Sequence, residues 1–203
     1  MSKTYIKRFF DMITSFLGLV LLSPLLLVIA IIIKLTSSGP VFFRQERVGK
    51  NGKIFRIWKF RTMFSARPEF SVEQTRELEK NGRDPRVTTL GYILREFGLD
   101  ELPQLINILK GDISFVGPRP FYPPRYDLNQ KLRPRLEVKP GLTSLNVISG
   151  GVESSDEEIM ALDSEYIRRQ NFRLDLEIIL KTIFLYVSKL WKKRDSKIGK
   201  NLQ

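Results

Sequence analysis

The sequence predicts an α+β protein that is mainly helical and carries a membrane element near its N-terminus. Three observations support this fold class. Residues 13–33 contain no charged side chain, apolar and basic residues are interleaved on both sides of Asn51-Gly52, and a later segment repeats apolar residues every three or four positions. These patterns are typical of a membrane helix, an antiparallel β-hairpin and an amphipathic helix.

The composition limits the chemistry that the chain can carry out. The 203 residues are 42% hydrophobic, which is enough to build one domain with a core. Cysteine and histidine are absent, so any nucleophile, base or metal ligand is a carboxylate, hydroxyl, lysine or tyrosine. The net charge of +12 indicates an anionic partner, and the candidates are nucleic acid, anionic lipid and a phosphorylated small molecule.

The apolar run is long enough for a membrane helix, because a hydrocarbon core of roughly 30 Å needs about 20 residues. Pro24, next to Ser23 in the middle of the run, cannot donate a hydrogen bond to the carbonyl of Val20, which predicts a kink. Each half would be roughly 16 Å long, too short to cross alone. Basic residues flank both ends, so charge does not assign an orientation. A re-entrant hairpin and a kinked spanning helix are equally compatible with this pattern.

The hairpin centred on Asn51-Gly52 places two basic side chains next to each other. Because side chains alternate along a strand, Lys59 and Arg61 share one face with Phe55 and Ile57. A solvated, charged strand face is the simpler interpretation of this pair when the strand is considered alone.

Further helices follow the hairpin. We expect a helix that is capped by Thr88 or Thr89 and ends at Gly98, then a second helix over residues 101–109 that ends at Gly111. The proline- and glycine-rich residues 111–124 predict a fixed loop. Residues 174–191 predict a long apolar helix that packs in the core or lies on the membrane surface.

Two adjacent acids, Asp100 and Glu101, lie where the second helix begins. The structural interpretation is that Asp100 caps the helix and Glu101 complements its dipole, and local sequence favours it. The functional interpretation uses the same helix terminus to keep a carboxylate ionised, so that it attacks phosphorus or holds Mg²⁺. Neighbouring residues point about 100° apart on a helix, so the two acids need separate roles.

Basic side chains elsewhere in the chain are suited to offsetting phosphate charge. Arg119 lies between Pro118 and Pro120, and this stiff backbone suits a preorganised phosphate contact. Together with the membrane segment and the acid pair, these residues suggest phosphoryl transfer at a membrane surface. The phosphate-binding candidates are Lys59, Arg61, Arg86, Arg95 and Arg119.

The ordered motifs "SP", "GPVFFRQERVG", "FRIWKFRTM", "LDELPQLINILKGDISFVGPRP" and "KPGLT" resemble the small monotopic phosphoglycosyl transferases of bacteria. The resemblance covers nearly the whole chain. It implies transfer of a sugar phosphate from a nucleotide diphosphate sugar, with UDP as the expected nucleotide, to polyprenol (undecaprenyl) phosphate. It also implies Mg²⁺ as cofactor and no nucleic-acid partner. This reaction is the first membrane step of bacterial glycan assembly.

The same resemblance implies an architecture and a location. Residues 1–36 would form a re-entrant anchor that breaks at Ser23 and Pro24, and residues 37–203 a cytosolic catalytic domain with amphipathic interfacial helices. The protein would lie on the cytoplasmic face of the inner membrane, in contact with membrane lipid, and a homodimer is one candidate assembly.

The resemblance also assigns roles to residues. Asp100 matches the nucleophile that forms a covalent phosphosugar intermediate, with Mg²⁺ beside it, and Glu101 matches its essential partner. Lys59, Arg95 and Arg119 match basic positions around the phosphates. Two alternatives remain: direct transfer with Asp100 as metal ligand or base, and a non-enzymatic basic membrane anchor.

Two segments depart from the family pattern. Where the family commonly has "GLTGWAQVNGR" this chain has "GLTSLNVISGG", with Leu145 in place of tryptophan and Gly151 in place of arginine. Thr89 stands where the family commonly has another arginine. We therefore leave the role of residues 144–151 open.

Overall fold

The computed structural model describes residues 2–65, 84–128, 130–150 and 155–200, and this part of the chain is mainly helical. The α-helices are α1 (Ser2–Thr36), α2 (Thr89–Glu96), α3 (Leu105–Lys110), α4 (Pro123–Leu128), α5 (Leu145–Ile148), α6 (Asp156–Arg169) and α7 (Phe172–Lys200). The strands are β1 (Phe42–Val48), β2 (Ile54–Phe60), β3 (Ser114–Val116) and β4 (Gly141–Thr143), and short 3₁₀ helices cover Lys50–Gly52, Leu99–Gln104 and Gln130–Glu137.

Helix α1 is long and apolar enough to cross a membrane, and only 11% of its most apolar stretch is buried. The helix runs through Ser23 and Pro24 without interruption. The Ser23 hydroxyl donates a hydrogen bond to the Val20 carbonyl over 2.7 Å, and this is the carbonyl that Pro24 cannot serve. The hydroxyl therefore compensates for the missing backbone hydrogen bond at the position where the sequence predicts a break.

Both ends of α1 contact the rest of the protein. Near its start, the Arg8 guanidinium donates to the carbonyls of Ile108 and Leu109 at the end of α3, over 2.6 and 2.7 Å. Toward its end, Ile29 and Ile33 are buried in one cluster with residues of β2 and α2. The opposite face leaves large apolar side chains exposed along the whole helix, including Tyr5, Phe9, Phe16, Leu21, Leu27 and Leu35.

The predicted hairpin is confirmed. Strands β1 and β2 pair antiparallel from Phe42↔Phe60 to Val48↔Ile54, and the turn between them contains Asn51 at φ 56° and Gly52 at φ 78°. Phe55 and Ile57 are buried against α1 and α3. Lys59 lies on this inward face with 19% of its side chain exposed, so the interpretation of a solvated, charged strand face is wrong for this residue.

The helix boundaries around the acid pair differ in part from the prediction. Thr88 caps α2 by accepting a hydrogen bond from the Gly91 amide, and Gly98 follows in the left-handed conformation at φ 65°, as predicted. The single helix predicted over residues 101–109 is instead a 3₁₀ helix followed by α3. Pro103 lacks the N–H that an α-helical turn would need. The prediction that Asp100 is the N-cap is also wrong, because Gly98 occupies that position.

The proline-rich segment after α3, predicted as a fixed loop over residues 111–124, is partly regular structure, because residues 114–116 form β3 and α4 begins at Pro123. Strand β3 enters it and pairs in parallel with β4. The Gly117 amide donates to Thr143 and the Gly141 amide to Pro118, each over 3.0 Å. A Cβ at Gly141 would lie 2.1 Å from the Gly117 nitrogen, so glycine is required where these backbones meet.

Helix α7 has one face packed in the core and one exposed apolar face. Packing in the core and contact with a membrane surface, the two roles considered for it, are therefore both compatible with the structure. Ile178 is fully buried with Val116 and Tyr166. The other face exposes large apolar side chains at helical spacing: Phe172, Leu176, Leu180, Ile183 and Val187.

A buried ion pair between Arg135 and Asp163 holds the backbone of the proline-rich loop in place. Arg135 Nε lies 2.6 Å from an Asp163 carboxylate oxygen, and their side chains are 1% and 2% exposed. Arg135 also donates to the Arg119 carbonyl over 2.8 Å. The pair joins the third 3₁₀ helix to α6 and anchors the backbone of Arg119.

We predict that Asp163→Ala lowers the free energy of unfolding by about 3–5 kcal/mol, because it leaves the Arg135 charge buried without its partner. Denaturant unfolding in detergent micelles measures this loss. The double variant Arg135→Met/Asp163→Leu removes both charges and should lose less stability than Asp163→Ala. A single variant as stable as the wild type would contradict the structural role of the pair.

Candidate active site

A cavity of about 820 Å³ opens between the β-hairpin, the 3₁₀ helix Leu99–Gln104 and α7. Asp100 and Glu101 both line it. Five cationic side chains surround the two acids, namely Arg47, Lys59, Arg61, Arg95 and Arg119. The fold thus brings together all of the predicted site residues except Arg86, which is not among the residues that line the cavity.

Glu101 holds two of these cations at once. Its Oε1 atom accepts a hydrogen bond from Lys59 Nζ over 2.6 Å and from Arg119 Nη2 over 3.1 Å. Burial alone would raise the pKa of Glu101, but Arg119 and Lys59 hold that pKa below its usual range. Glu101 is therefore anionic, and it fixes one cation from β2 and one from the proline-rich loop.

The pKa of Asp100 is shifted in the opposite direction from that of Glu101. Asp100 is only 8% exposed, and this burial raises the pKa of its carboxyl above the usual range. The neighbouring charge of Glu101 raises the pKa further, whereas Lys59 and Arg95 oppose the rise. The expectation that the helix terminus would favour the ionised form is outweighed by burial. Asp100 is thus a weakly solvated carboxyl whose charge depends on two nearby cations.

The remaining candidate arginines are tethered differently. Arg95 donates through Nε to the Thr62 hydroxyl over 2.9 Å and lines the cavity. Arg61 is 7% exposed and donates through Nη2 to the carbonyl and hydroxyl oxygens of Ser37. Arg86 binds the carboxylate of Asp84 through both Nε and Nη2. The structure therefore places Arg61 at the junction with α1 and Arg86 outside the cavity.

The backbone around Arg119 is fixed on both sides. Its own carbonyl accepts from Arg135, and the carbonyl of Pro120 accepts from Arg47 over 3.3 Å. The side chain is 51% exposed, so it reaches from a rigid base into an open cavity. Such a cation is preorganised for an anionic ligand.

The carboxylates are suited to a magnesium ion only if a ligand completes the site. Within the described residues, no cluster of three or more acidic, histidine or cysteine side chains could enclose a metal. Mg²⁺ is commonly held by one or two carboxylates together with substrate phosphates and water. Asp100 in a cavity rich in phosphate-binding cations fits this arrangement.

Two contributors to the site were not predicted from the sequence. Asn107 accepts from the Trp58 amide over 2.9 Å and donates to the Arg56 carbonyl over 2.8 Å, which joins α3 to β2 as a third strand would. Its position among the apolar residues of "LINILK" was a usable signal. Tyr186 of α7 lines the cavity beside Gly98, and nothing near it in the sequence indicates this.

Two of the three positions that depart from the family pattern, Leu145 and Thr89, are not among the residues that line the cavity. Leu145 packs against the buried cluster of Val116, Tyr166 and Ile178. Thr89 is the first residue of α2. Gly151 lies outside the described residues.

Comparison with known proteins identifies related chains. The family model described as "Bacterial sugar transferase" matches residues 2–189. The chain is 39% identical over 189 residues to "Exopolysaccharide production protein ExoY" of Rhizobium meliloti (strain 1021), a match that covers 87% of this chain and 83% of that protein.

Two further relatives are longer than this chain. The "UDP-glucose:undecaprenyl-phosphate glucose-1-phosphate transferase" of Klebsiella pneumoniae is 45% identical over 88% of this chain, and the match covers 39% of that protein. The "UDP-N-acetylgalactosamine-undecaprenyl-phosphate N-acetylgalactosaminephosphotransferase" of Aeromonas hydrophila is 38% identical over 88% of this chain and 43% of its own length. The chain therefore spans less than half of these two proteins.

We predict that two variants shift the pKa of Asp100 in opposite directions. Arg95→Gln removes a positive charge that favours the ionised carboxylate, so the pKa rises further. Glu101→Gln removes a negative charge that opposes ionisation, so the pKa falls. Titration of ¹³C-labelled aspartate by NMR measures both shifts. Arg56→Gln, at an exposed position of the hairpin, is the control and should leave this pKa unchanged; shifts of equal sign in the two site variants would contradict the assignment.

Proposed function

The chain belongs to the bacterial sugar transferase family, and we propose that it transfers a sugar 1-phosphate from a UDP-sugar to undecaprenyl phosphate. The names of the relatives from Klebsiella pneumoniae and Aeromonas hydrophila support this reaction. Their different sugars, glucose and N-acetylgalactosamine, leave the sugar of this chain to experiment. The product would be the first lipid-linked intermediate of a glycan.

The observation that supports the proposal most directly is that the two adjacent acids have different contacts. Glu101 is occupied by Lys59 and Arg119 and holds them at the cavity wall. Asp100, its neighbour in the chain, is buried and lies close to Lys59 and Arg95. This arrangement supports a nucleophile that attacks within a set of positive charges, which offset the charge of a diphosphate.

The proposed reaction has two steps. The Asp100 carboxylate attacks the phosphorus that bears the sugar, a bond forms between its oxygen and phosphorus, and nucleoside monophosphate leaves. A phosphate oxygen of the polyprenol phosphate then attacks the same phosphorus and releases the Asp100 carboxylate. Lys59, Arg95 and Arg119 bind the phosphates in both steps. Magnesium, held by Asp100 and the phosphates, would supply further positive charge.

We also propose that the protein is monotopic, with residues 1–36 as a re-entrant anchor and residues 37–203 as a domain on the cytoplasmic face of the inner membrane. The support is polar contact at both ends of α1. Lys7 pairs with Asp175, and Ser37 accepts from Arg61. A helix that spans the bilayer would separate these ends by a hydrocarbon core of roughly 30 Å. Because both pairs join α1 to one body, the two ends belong on the same side.

We predict that Asp100→Asn lowers turnover by about 10³-fold or more, because it removes the nucleophile. It should also abolish the release of nucleoside monophosphate from the UDP-sugar in the absence of lipid. Glu46→Gln, an exposed carboxylate of β1, is the matched control and should retain activity. The donor is found first by testing a panel of UDP-sugars with the wild type.

Mass spectrometry tests the covalent step directly. The wild type incubated with donor alone should gain the mass of one phosphosugar on the peptide that contains Asp100. Efficient turnover without an adduct, even with the lipid withheld, would indicate direct transfer with Asp100 as metal ligand or base. Binding of nucleic acid with a steep salt dependence and no activity toward any donor would instead favour a non-enzymatic anchor.

Cysteine labelling tests the topology, and the chain has no native cysteine. Single cysteines in place of Ser2 and Ser38 should both react with a membrane-impermeant reagent from the cytoplasmic side only. Labelling from opposite sides would exclude the re-entrant form. Pro24→Ala restores a backbone donor in the centre of α1 and should favour a spanning form, in which the two cysteines label from different sides.

A further inference from the structure

The cavity has an apolar end as well as a cationic one, and we propose that this apolar end binds the first isoprene units of a polyprenyl phosphate. Pro40, Phe42, Phe43 and Met63 line it. The inference rests on the proposed function, because the phosphate of the same ligand must reach the cationic end beside Asp100.

Strand register places the apolar wall next to the reacting groups. Phe43 of β1 is directly opposite Lys59 of β2, and opposite residues of an antiparallel pair present their side chains on the same face, about 5 Å apart. Lys59 in turn binds Glu101. An apolar chain that packs on Phe43 would therefore begin next to Lys59, the cation that binds Glu101 of the acid pair.

The wall is incomplete without a ligand. Phe42 already stacks on Phe60 with ring centroids 5.4 Å apart and contacts Trp58 edge-to-face. Phe43 makes no such ring contact within the described part of the chain, and 47% of it is exposed. When an apolar group covers a large apolar side chain that is exposed in a cavity, the burial of apolar surface stabilises the complex.

The position of this end relative to α1 favours lipid over nucleobase as the occupant. Pro40 follows α1 after only three residues, and Leu35 in the last turn of that helix is 79% exposed. Arg61 fixes the junction by binding Ser37. The apolar end of the cavity therefore adjoins the exposed apolar surface of α1, and a lipid chain can pass between them with little contact with water.

Arg61 provides a second, independent indication of an anionic ligand here. Its guanidinium is buried and lines the cavity, yet Nε and Nη1 have no hydrogen-bond partner among the residues that the structure describes. Unpaired buried donors are costly, and a phosphate oxygen would satisfy them. Gly39, at φ 114°, permits this arrangement, because a Cβ there would lie 2.4 Å from Nη1. A cation beside an apolar wall matches the two parts of a prenyl phosphate.

The test compares Phe43→Ala with Phe184→Ala, which removes an equally large ring from an exposed position outside the cavity. Phe43→Ala should raise the KM for undecaprenyl phosphate about tenfold, which corresponds to loss of part of an apolar contact. The KM for the UDP-sugar should not change. Phe184→Ala should leave both values near those of the wild type, and Phe43→Leu should restore most of the affinity for the lipid.

A rise in the KM for the UDP-sugar instead would assign the aromatic wall to the nucleobase and overturn the proposal, as would unchanged values for both substrates. Calorimetry separates this result from the proposed function, because it needs no turnover. Geranyl phosphate, which carries two isoprene units, should bind the wild type about tenfold more tightly than inorganic phosphate does, and Phe43→Ala should lose this preference. Equal affinity of the wild type for the two probes would also overturn the proposal, even if the enzyme were active.

Discussion

The carboxylate of Glu101 is the contact on which the geometry of the site depends. Its Oε1 atom joins three segments, since Lys59 comes from β2, Glu101 from the 3₁₀ helix and Arg119 from the proline-rich loop. Each segment is fixed independently by other contacts: Asn107 ties β2 to α3, Gly98 starts the 3₁₀ helix, and Arg135 anchors the backbone of Arg119. The ion pairs therefore form between groups that are already in place, and little conformational entropy is lost in making them.

The long apolar helix α1 is part of this framework. Arg8 satisfies the last carbonyls of α3, the helix that follows the acid pair, and Arg61 satisfies a carbonyl just after α1. Helix ends leave carbonyls without partners, and in both places an arginine from a different segment supplies the donor. The position of the acid pair is thereby coupled to the position of α1, so the site proposed to bind a lipid substrate is built on the element proposed to lie in the membrane.

Features determined by neighbouring residues were predictable, and those determined by distant ones were not. Asn51-Gly52, Gly98 and Gly111 all adopt positive φ angles at the predicted turn and helix ends, because this preference is local. Tyr186 and the Asp163–Arg135 pair meet the site through contacts between segments far apart in the chain, which no local pattern encodes. The charge state of Asp100 was misjudged for a related reason: the helix terminus is visible in the sequence, whereas the burial that outweighs it is a property of the folded chain.

The opposite pKa shifts of the two acids follow from one asymmetry. Asp100 is buried and Glu101 is partly buried, but only Glu101 receives hydrogen bonds from two cations, and these lower its pKa despite the partial burial. Asp100 lies close to Lys59 and Arg95 without a hydrogen bond to either of them within the described residues, so burial prevails. A carboxylate without strong hydrogen bonds is less stabilised and is a stronger nucleophile than one that is fully paired. Glu101 therefore pairs with Lys59 and Arg119 whereas Asp100 does not, and this difference supports the proposed assignment of Asp100 as the nucleophile.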